Sequence, residues 1–188
     1  MTDSTTPGKR ARLVAAAADL LHRQGVQATT IAQVADAATV PTGNVYYYFK
    51  TKDDLIRAVI DDRTRQVRAM LDSLRARRSP AARLTALANQ WTEMRELVAR
   101  YGCPFGTLVT ELDRRDDGLD VEAAQPIGII LDWAETQFRD MGRTDARELA
   151  VAFFAGIQGA ALLANALRDP AVMAGQVRHL TRWIATLS

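Results

Sequence analysis

A single cysteine, Cys103, leaves no partner for an intrachain disulfide in this 188-residue chain. The only two histidines, His22 and His179, stand isolated from each other and from the cysteine, so neither a metal motif of ordinary spacing nor a Cys-His nucleophile is encoded. No glycine-rich phosphate loop is present. The sequence therefore offers no catalytic residue, no metal ligand set and no cofactor motif, and an enzyme is not expected. It also lacks a run approaching the roughly 18 apolar residues of a membrane span, and no charged-then-apolar secretion signal opens it. These absences predict a cytoplasmic protein with no membrane partner.

What is present is 48% hydrophobic and 24% charged, rich in alanine and with only six prolines, the composition of a soluble and mostly helical protein. The length suffices for one domain, or for a small one fused to a larger. Only Met1 to Gly8 are expected to lack order. The net charge is only +2, but it is unevenly placed, because from Met1 to Lys52 positive residues exceed negative ones by three. That is a mild bias toward nucleic acid.

Apolar residues recur every three or four positions almost throughout, which predicts an all-α chain of about nine helices and no strand. Leu13, Ala17, Leu20 and Leu21 form the first stripe, closed by Gly25. Thr30 and Gln33 make a capping box for a short second helix. A third covers roughly 41–48, with Pro41 tolerated in its first turn, and Thr51 caps a fourth that runs to about Arg77. Ser79-Pro80 restarts the pattern as a single helix through Leu84, Trp91, Met94, Val98 and Tyr101. A short helix ends at Leu112, another surrounds Ile127 to Met141 with Pro126 at its first turn or kinking it, and two more occupy 144–168 and 170–187. The division falls within the fourth helix: residues 9–55 form a helix-turn-helix unit, and 56–188 a larger helical body.

Two short helices joined by about four residues have the geometry of a helix-turn-helix, whose second helix reads DNA. On a helical wheel Val45, Tyr48 and Phe49 share one side, while Gly43, Tyr46 and Tyr47 lie opposite and Thr42 and Asn44 flank them. The first group anchors the helix and the second is left outward. Tyrosine and threonine hydroxyls donate to phosphates, lysine neutralises them, glycine permits close approach, and asparagine or threonine bonds base edges. Pattern alone leaves open a plain reading of the aromatics as core and the lysines as solvated.

The stretches Gly25 to Thr30 (GVQATT), Val34-Ala35, Ala38, Val40, Thr42 to Phe49 (TGNVYYYF) and Lys52 to Leu55 (KDDL) resemble the DNA-binding signature of TetR-family transcriptional regulators over about residues 9–60. The resemblance implies a homodimeric repressor on a palindromic double-stranded DNA operator, released by a small-molecule effector. It implies that Tyr46 and Lys52 hold phosphates, that Thr42, Gly43, Asn44 and Tyr47 approach bases or backbone, and that Thr30 touches backbone. Three positions depart from the signature. Thr39 replaces a turn glycine, Pro41 replaces a capping serine, and Ala32 stands where a polar or basic residue is usual. The turn is expected to be adjusted around Thr39. These departures keep a second class open, a helical ligand-binding or interaction module without specific DNA reading.

In the C-terminal part, Ala152, Gly156, Gly159, Ala160 and Ala164, paired with Val172, Met173, Val177, Leu180 and Ile184, suggest a four-helix dimer interface, or else an intrachain helix pair. Trp91, Met94, Phe105, Leu108, Trp133, Phe153 and Phe154 are the bulky candidates for lining an effector pocket, with Gln158 and Asn165 to orient the ligand; the plainer reading is that the aromatics are core and the amides satisfy backbone groups or face a partner. Cys103 precedes Pro104 at a helix start with Arg100 nearby, a setting that favours thiolate. Gly102-Cys103, Gly106, Leu108 and Glu111-Leu112 look like the corresponding stretch of the NemR-like, electrophile-sensing branch of the family. The plainer reading of Cys103 is a small buried residue. The effector is thus expected to be apolar or electrophilic.

Overall fold

A computed structural model describes residues 8–113, 115 and 117–187; the expectation for the first residues lies almost wholly outside these. The described residues form ten helices and no strand: α1 (Lys9–Ala28), α2 (Ile31–Ala37), α3 (Thr42–Tyr48), α4 (Lys52–Leu74), α5 (Pro80–Glu93), α6 (Arg95–Tyr101), α7 (Gly106–Leu112), α8 (Leu119–Asp140), α9 (Ala146–Leu167) and α10 (Pro170–Thr186). Local chemistry sets most of the ends. Thr30 accepts from the Gln33 amide while the Gln33 side chain accepts from the Thr30 amide. Thr51 and Asp54 exchange the same two bonds at 3.0 Å each ahead of α4. Ser79 and Asp169 each cap a helix whose first residue is proline. Gly25 breaks the regularity of α1 at φ 84°, and Gly142 follows α8 at φ 80°.

Two boundaries differ from the periodicity. The single helix expected from Pro80 to Tyr101 is interrupted at Met94 (φ −96°, ψ 12°), giving α5 and α6; taken together as one kinked helix they bring the total to nine. Helix α8 starts at Leu119, not near Pro126, which lies inside it. Burial of Leu119 and Ala123 explains the earlier start, since it rewards a turn that local propensity does not.

The chain forms two compact units, each with its own core. The first takes the residues up to Arg63 together with Leu108–Ala123, and the second takes Thr64–Thr107 and the residues from Ala124 onward. Leu13, Val34, Val45, Phe49, Ile56 and Val59 build the first core, and Leu108, Leu112, Leu119 and Ala123 complete it. Compactness is therefore discontinuous along the chain, a grouping that one cut in α4 does not describe.

The second core gathers Leu84, Leu87, Trp91, Ile130, Phe138, Phe153, Ile157, Met173 and Ile184, with α10 packed on α9 and α5. Here the expected dimer stripe is corrected. Ala160, Ala164, Met173, Val177, Leu180 and Ile184 are buried within the chain. A Cβ on Gly156 would meet the Gln176 amide of α10 at 2.7 Å. These residues are the intrachain pair, whereas Ala152 and Gly159 of the same expected stripe are exposed. A different face of α9 is exposed, carrying Val151, Leu162, Leu163 and Leu167 at 46, 70, 53 and 65%. Contrary to the expectation that no stretch approaches a membrane span, α9 is long and apolar enough by length and composition alone. Gln158 and Asn165 interrupt its apolar run without lowering its mean hydropathy below that of a span. Its buried residues, Phe153, Phe154 and Ile157 among them, make it a core helix of this unit.

Candidate nucleic-acid interface

Helix α3 divides by face as the wheel requires. Val45 is fully buried and Phe49 nearly so, Tyr48 is half-buried, and Tyr46 and Tyr47 are 51 and 79% exposed. Burying Val45 and Phe49 removes two large side chains from water, each worth about 1.5–3 kcal/mol, so the helix is held from behind. Its outer face is made of Thr42, Gly43, Asn44, Tyr46 and Tyr47, all exposed. The Tyr47 ring stands edge-on to Tyr48 at 5.1 Å, which steadies an otherwise free side chain.

Gly43 is the informative position. A Cβ there would meet nothing within 4 Å, and its φ is not positive. Neither space nor backbone within the chain calls for glycine, and glycine in a helix is less stable than alanine by up to about 1 kcal/mol.

The turn before α3 corrects an expectation. Thr39 keeps the left-handed conformation, at φ 52°, and the turn is not adjusted around it. Bonds on both sides fix it: the Thr39 amide donates to Asp36 O and the Val40 amide to Ala35 O, at 3.0 and 2.9 Å. The buried Ala38 and Val40 anchor the same turn, and together these offset a conformational cost of about 1–2 kcal/mol. Pro41 occupies the position before α3 without any side-chain cap. The Asn44 amide instead donates back to Pro41 O at 2.8 Å.

Basic groups frame this face, including Arg10, which is not among the residues expected from the sequence. The Arg10 guanidinium lies over the Phe49 ring at 5.2 Å, beside the C-terminal end of α3. Its signal was the positive excess of the first 52 residues. Lys50 donates to Tyr46 O at 3.0 Å, placing a positive charge on the C-terminal carbonyls. Thr30 is exposed at the start of α2, but its hydroxyl lies 3.2 Å from Gln33 Oε1, and Gln24 donates to the same oxygen at 3.1 Å.

Lys52 is tied into the chain. Its ammonium donates to Val26 O, just beyond the Gly25 break, and Glu111 of α7 accepts from the Val26 amide at 2.5 Å. At Gly25 a Cβ would come within 2.7 Å of that carboxylate, so glycine is required there by space as well as by φ. Burial pushes the Lys52 ammonium below the usual lysine range; Asp53 opposes this, Arg115 adds to it, and Glu111 opposes it. Arg115 grips Asp53 with two bonds of 3.0 and 2.7 Å and holds its carboxyl below the usual carboxylate range. Lys52 still has two N–H groups besides the one on Val26.

The expected pocket residues do not form one group. Leu108 belongs to the first core. Within the second unit Trp91 meets Phe154 edge-to-face at 5.6 Å, whereas Phe153 turns to Phe138, and Phe138 to Trp183. Met94, Phe105 and Trp133 are partly buried against the same core. Asn165 is occupied, donating to Ala99 O at 3.2 Å. Cys103 is a free thiol and buried, 5% exposed. No group of three or more metal-ligating side chains occurs among the described residues.

Two family models match the chain, one described as bacterial regulatory proteins of the tetR family over residues 13–59 and one as the tetracyclin repressor-like C-terminal domain over residues 80–180. An uncharacterized HTH-type transcriptional regulator in the lacX 3′ region of Lactococcus lactis subsp. lactis is 27% identical over 175 residues, covering 84% of each chain. The HTH-type transcriptional regulator TtgR of Pseudomonas putida is 24% identical, over 94% of this chain and 88% of its own. Among solved structures, the regulatory protein TetR from Rhodobacter sphaeroides superposes with a TM-score of 0.81 at 25% identity, over 93% of this chain and 97% of its own.

Proposed function

Because the chain belongs to the TetR family of helix-turn-helix transcriptional regulators, we propose that it is a cytoplasmic repressor that binds a palindromic operator as a homodimer and leaves it when a small apolar or electrophilic molecule occupies the second unit. The observation that carries the DNA-reading part is the outward face of α3, where Tyr46 and Tyr47 stand exposed beside a glycine that nothing in the chain fills. Thr42, Gly43, Asn44 and Tyr47 approach base edges or backbone, and Tyr46, Lys52 and Thr30 hold phosphates. Arg10 joins the phosphate contacts.

Exposed Leu162, Leu163 and Leu167 on α9 support self-association, since a contiguous apolar face of this kind marks an interface. A dimer also supplies the two reading helices that an inverted repeat needs. Release is a population shift: the effector must bind more tightly to the dimer whose reading helices are wrongly spaced for the operator. The test is a titration of DNA from upstream of the gene, scanned for inverted repeats, at several salt concentrations. Specific binding as a dimer, weakening steeply with salt, is the expected result. Sequence-blind or absent binding contradicts it.

A further inference from the structure

Four buried side-chain atoms of the second unit have no hydrogen-bond partner among the described residues: the hydroxyls of Thr64 and Thr92, which can also accept, and two groups that can only donate, Trp91 Nε1 and Gln158 Nε2. The Trp91 indole is 2% exposed, and its Nε1 has no acceptor. Gln158 is half-buried, yet its Nε2 is out of contact with solvent and also has no acceptor. Buried indole N–H and amide groups ordinarily find partners, so these two N–H donors call for an explanation. They share a neighbourhood. Trp91 of α5 stands edge-to-face on Phe154, and Gln158 lies one turn beyond Phe154 on the same side of α9. The opposite end of the Gln158 amide comes close to the start of α7, where a Cβ on Gly106 would lie 3.0 Å from Oε1 and 3.8 Å from the Cys103 Cβ.

The charge of this neighbourhood decides what the donors await. Among the described residues, the buried polar side chains of the second unit are Thr64 and Gln137, both neutral, and the one buried arginine, Arg63, belongs to the first unit. A carboxylate or phosphate brought in beside Trp91 and Gln158 would meet no fully buried cation, the Arg168 guanidinium being engaged by the carbonyls of Ala99 and Arg100, and this is far costlier than leaving two neutral donors unpaired. Aromatic walls favour a flat body that stacks.

We infer that the effector is a neutral aromatic molecule carrying a carbonyl-type acceptor, whose oxygen receives from Trp91 Nε1 and Gln158 Nε2 while its ring packs against Phe154. This rests on the reading of the second unit as the effector-binding part, and it narrows the ligand from apolar in general to acceptor-bearing and uncharged. Gly106 keeps room for the glutamine amide, since an alanine there would displace it.

The test uses three probes of one size, acetophenone, its hydrocarbon isostere α-methylstyrene, and benzoate. Binding to the ¹⁵N-labelled full chain is followed on the Trp91 indole N–H resonance, assigned with Trp91→Phe, and by titration calorimetry. Acetophenone is expected to move that resonance downfield and to bind about tenfold more tightly than α-methylstyrene, as one or two hydrogen bonds to neutral donors allow. Benzoate is expected to bind more weakly than both. Trp91→Phe and Gln158→Leu are each expected to reduce acetophenone to the affinity of its isostere while leaving α-methylstyrene unchanged. Gly106→Ala, which leaves both donors in the chain, is expected to weaken acetophenone alone. Equal binding of acetophenone and α-methylstyrene, tighter binding of benzoate, or an unmoved Trp91 resonance overturns the inference. Operator release is measured separately: acetophenone bound at Trp91 without any change in DNA affinity contradicts the effector reading and leaves the ligand class standing.

Discussion

The outer face of α3 and the core around Phe154 are both incomplete, in opposite ways. On α3 the groups without an intrachain role point outward, where Tyr47 is mostly exposed and Gly43 opens onto empty space. Around Phe154 the unmet groups are inside, where Trp91 and Gln158 carry donors cut off from water. An exposed group costs the fold almost nothing and is free to meet a large partner. A buried donor without an acceptor costs about 1–3 kcal/mol and can be met only by something small enough to enter. The first arrangement suits a surface that docks on DNA, and the second a site that admits a small molecule.

The sharpest way to break this contrast is to change neighbouring residues on opposite faces of α3. Val45→Asp places a carboxylate in a fully buried position and should cost at least about 3 kcal/mol, enough to unfold the first unit, as circular dichroism in urea would show. Tyr47→Ala should leave the unfolding midpoint within experimental scatter while weakening operator binding by about 1–2 kcal/mol, read by fluorescence anisotropy. A large stability loss in the second variant would make Tyr47 a core residue and erase the distinction. On the exposed side of α9, Leu163→Glu should convert a dimer to a monomer in light scattering and, through loss of the paired reading helix, reduce affinity for an inverted repeat at least about tenfold. A dimer that persists would place the interface elsewhere.

Smaller effects probe the frame of the reading helix. Thr39→Gly removes the left-handed cost of the turn and, after the added flexibility of the unfolded chain is subtracted, should stabilise the first unit by about 0.5–1 kcal/mol in urea titration. Asp53 is held below its usual pKa chiefly by its bonds to Arg115. A depressed carboxylate contributes stability that is fully present above the unfolded value near 3.8 and is lost as pH falls through the lower folded value. Asp53→Asn should therefore flatten the acid limb of the stability curve slightly, by well under about 1 kcal/mol at neutral pH because the pair is partly exposed to solvent. An unchanged acid limb would show that the Arg115 clamp has no part in holding the start of α4.

The two regions also differ in how much of them is legible in the sequence. The helix-turn-helix is local: Thr30 and Gln33 cap each other three residues apart, Gly25 breaks its own helix, and the faces of α3 follow from a 100° step. Caps at Ser79 and Asp169 are readable for the same reason. The interruption at Met94 carries no proline or glycine to announce it, and the early start of α8 depends on burial of Leu119 and Ala123 by residues remote in sequence. Helix α9 is apolar nearly all round, so its period cannot say which side faces the core. This is why the spacing of the small residues leaves both a dimer interface and an intrachain pair open, and only the fold separates the buried Ala160 and Ala164 from the exposed Ala152, Gly159, Leu162, Leu163 and Leu167. Asn165 shows the same limit. By sequence its amide suits a ligand or a backbone group, and the fold brings it the Ala99 carbonyl.

The central claim is that α3 is shaped by a partner outside the chain, and Gly43→Ala tests it most directly. Nothing within 4 Å opposes the added methyl, so the variant should fold with equal or slightly higher stability, by up to about 1 kcal/mol, while its affinity for the operator falls by at least about tenfold. Unchanged operator affinity in a stably folded Gly43→Ala protein would contradict the account, because close approach of DNA to α3 would then not be what the glycine serves.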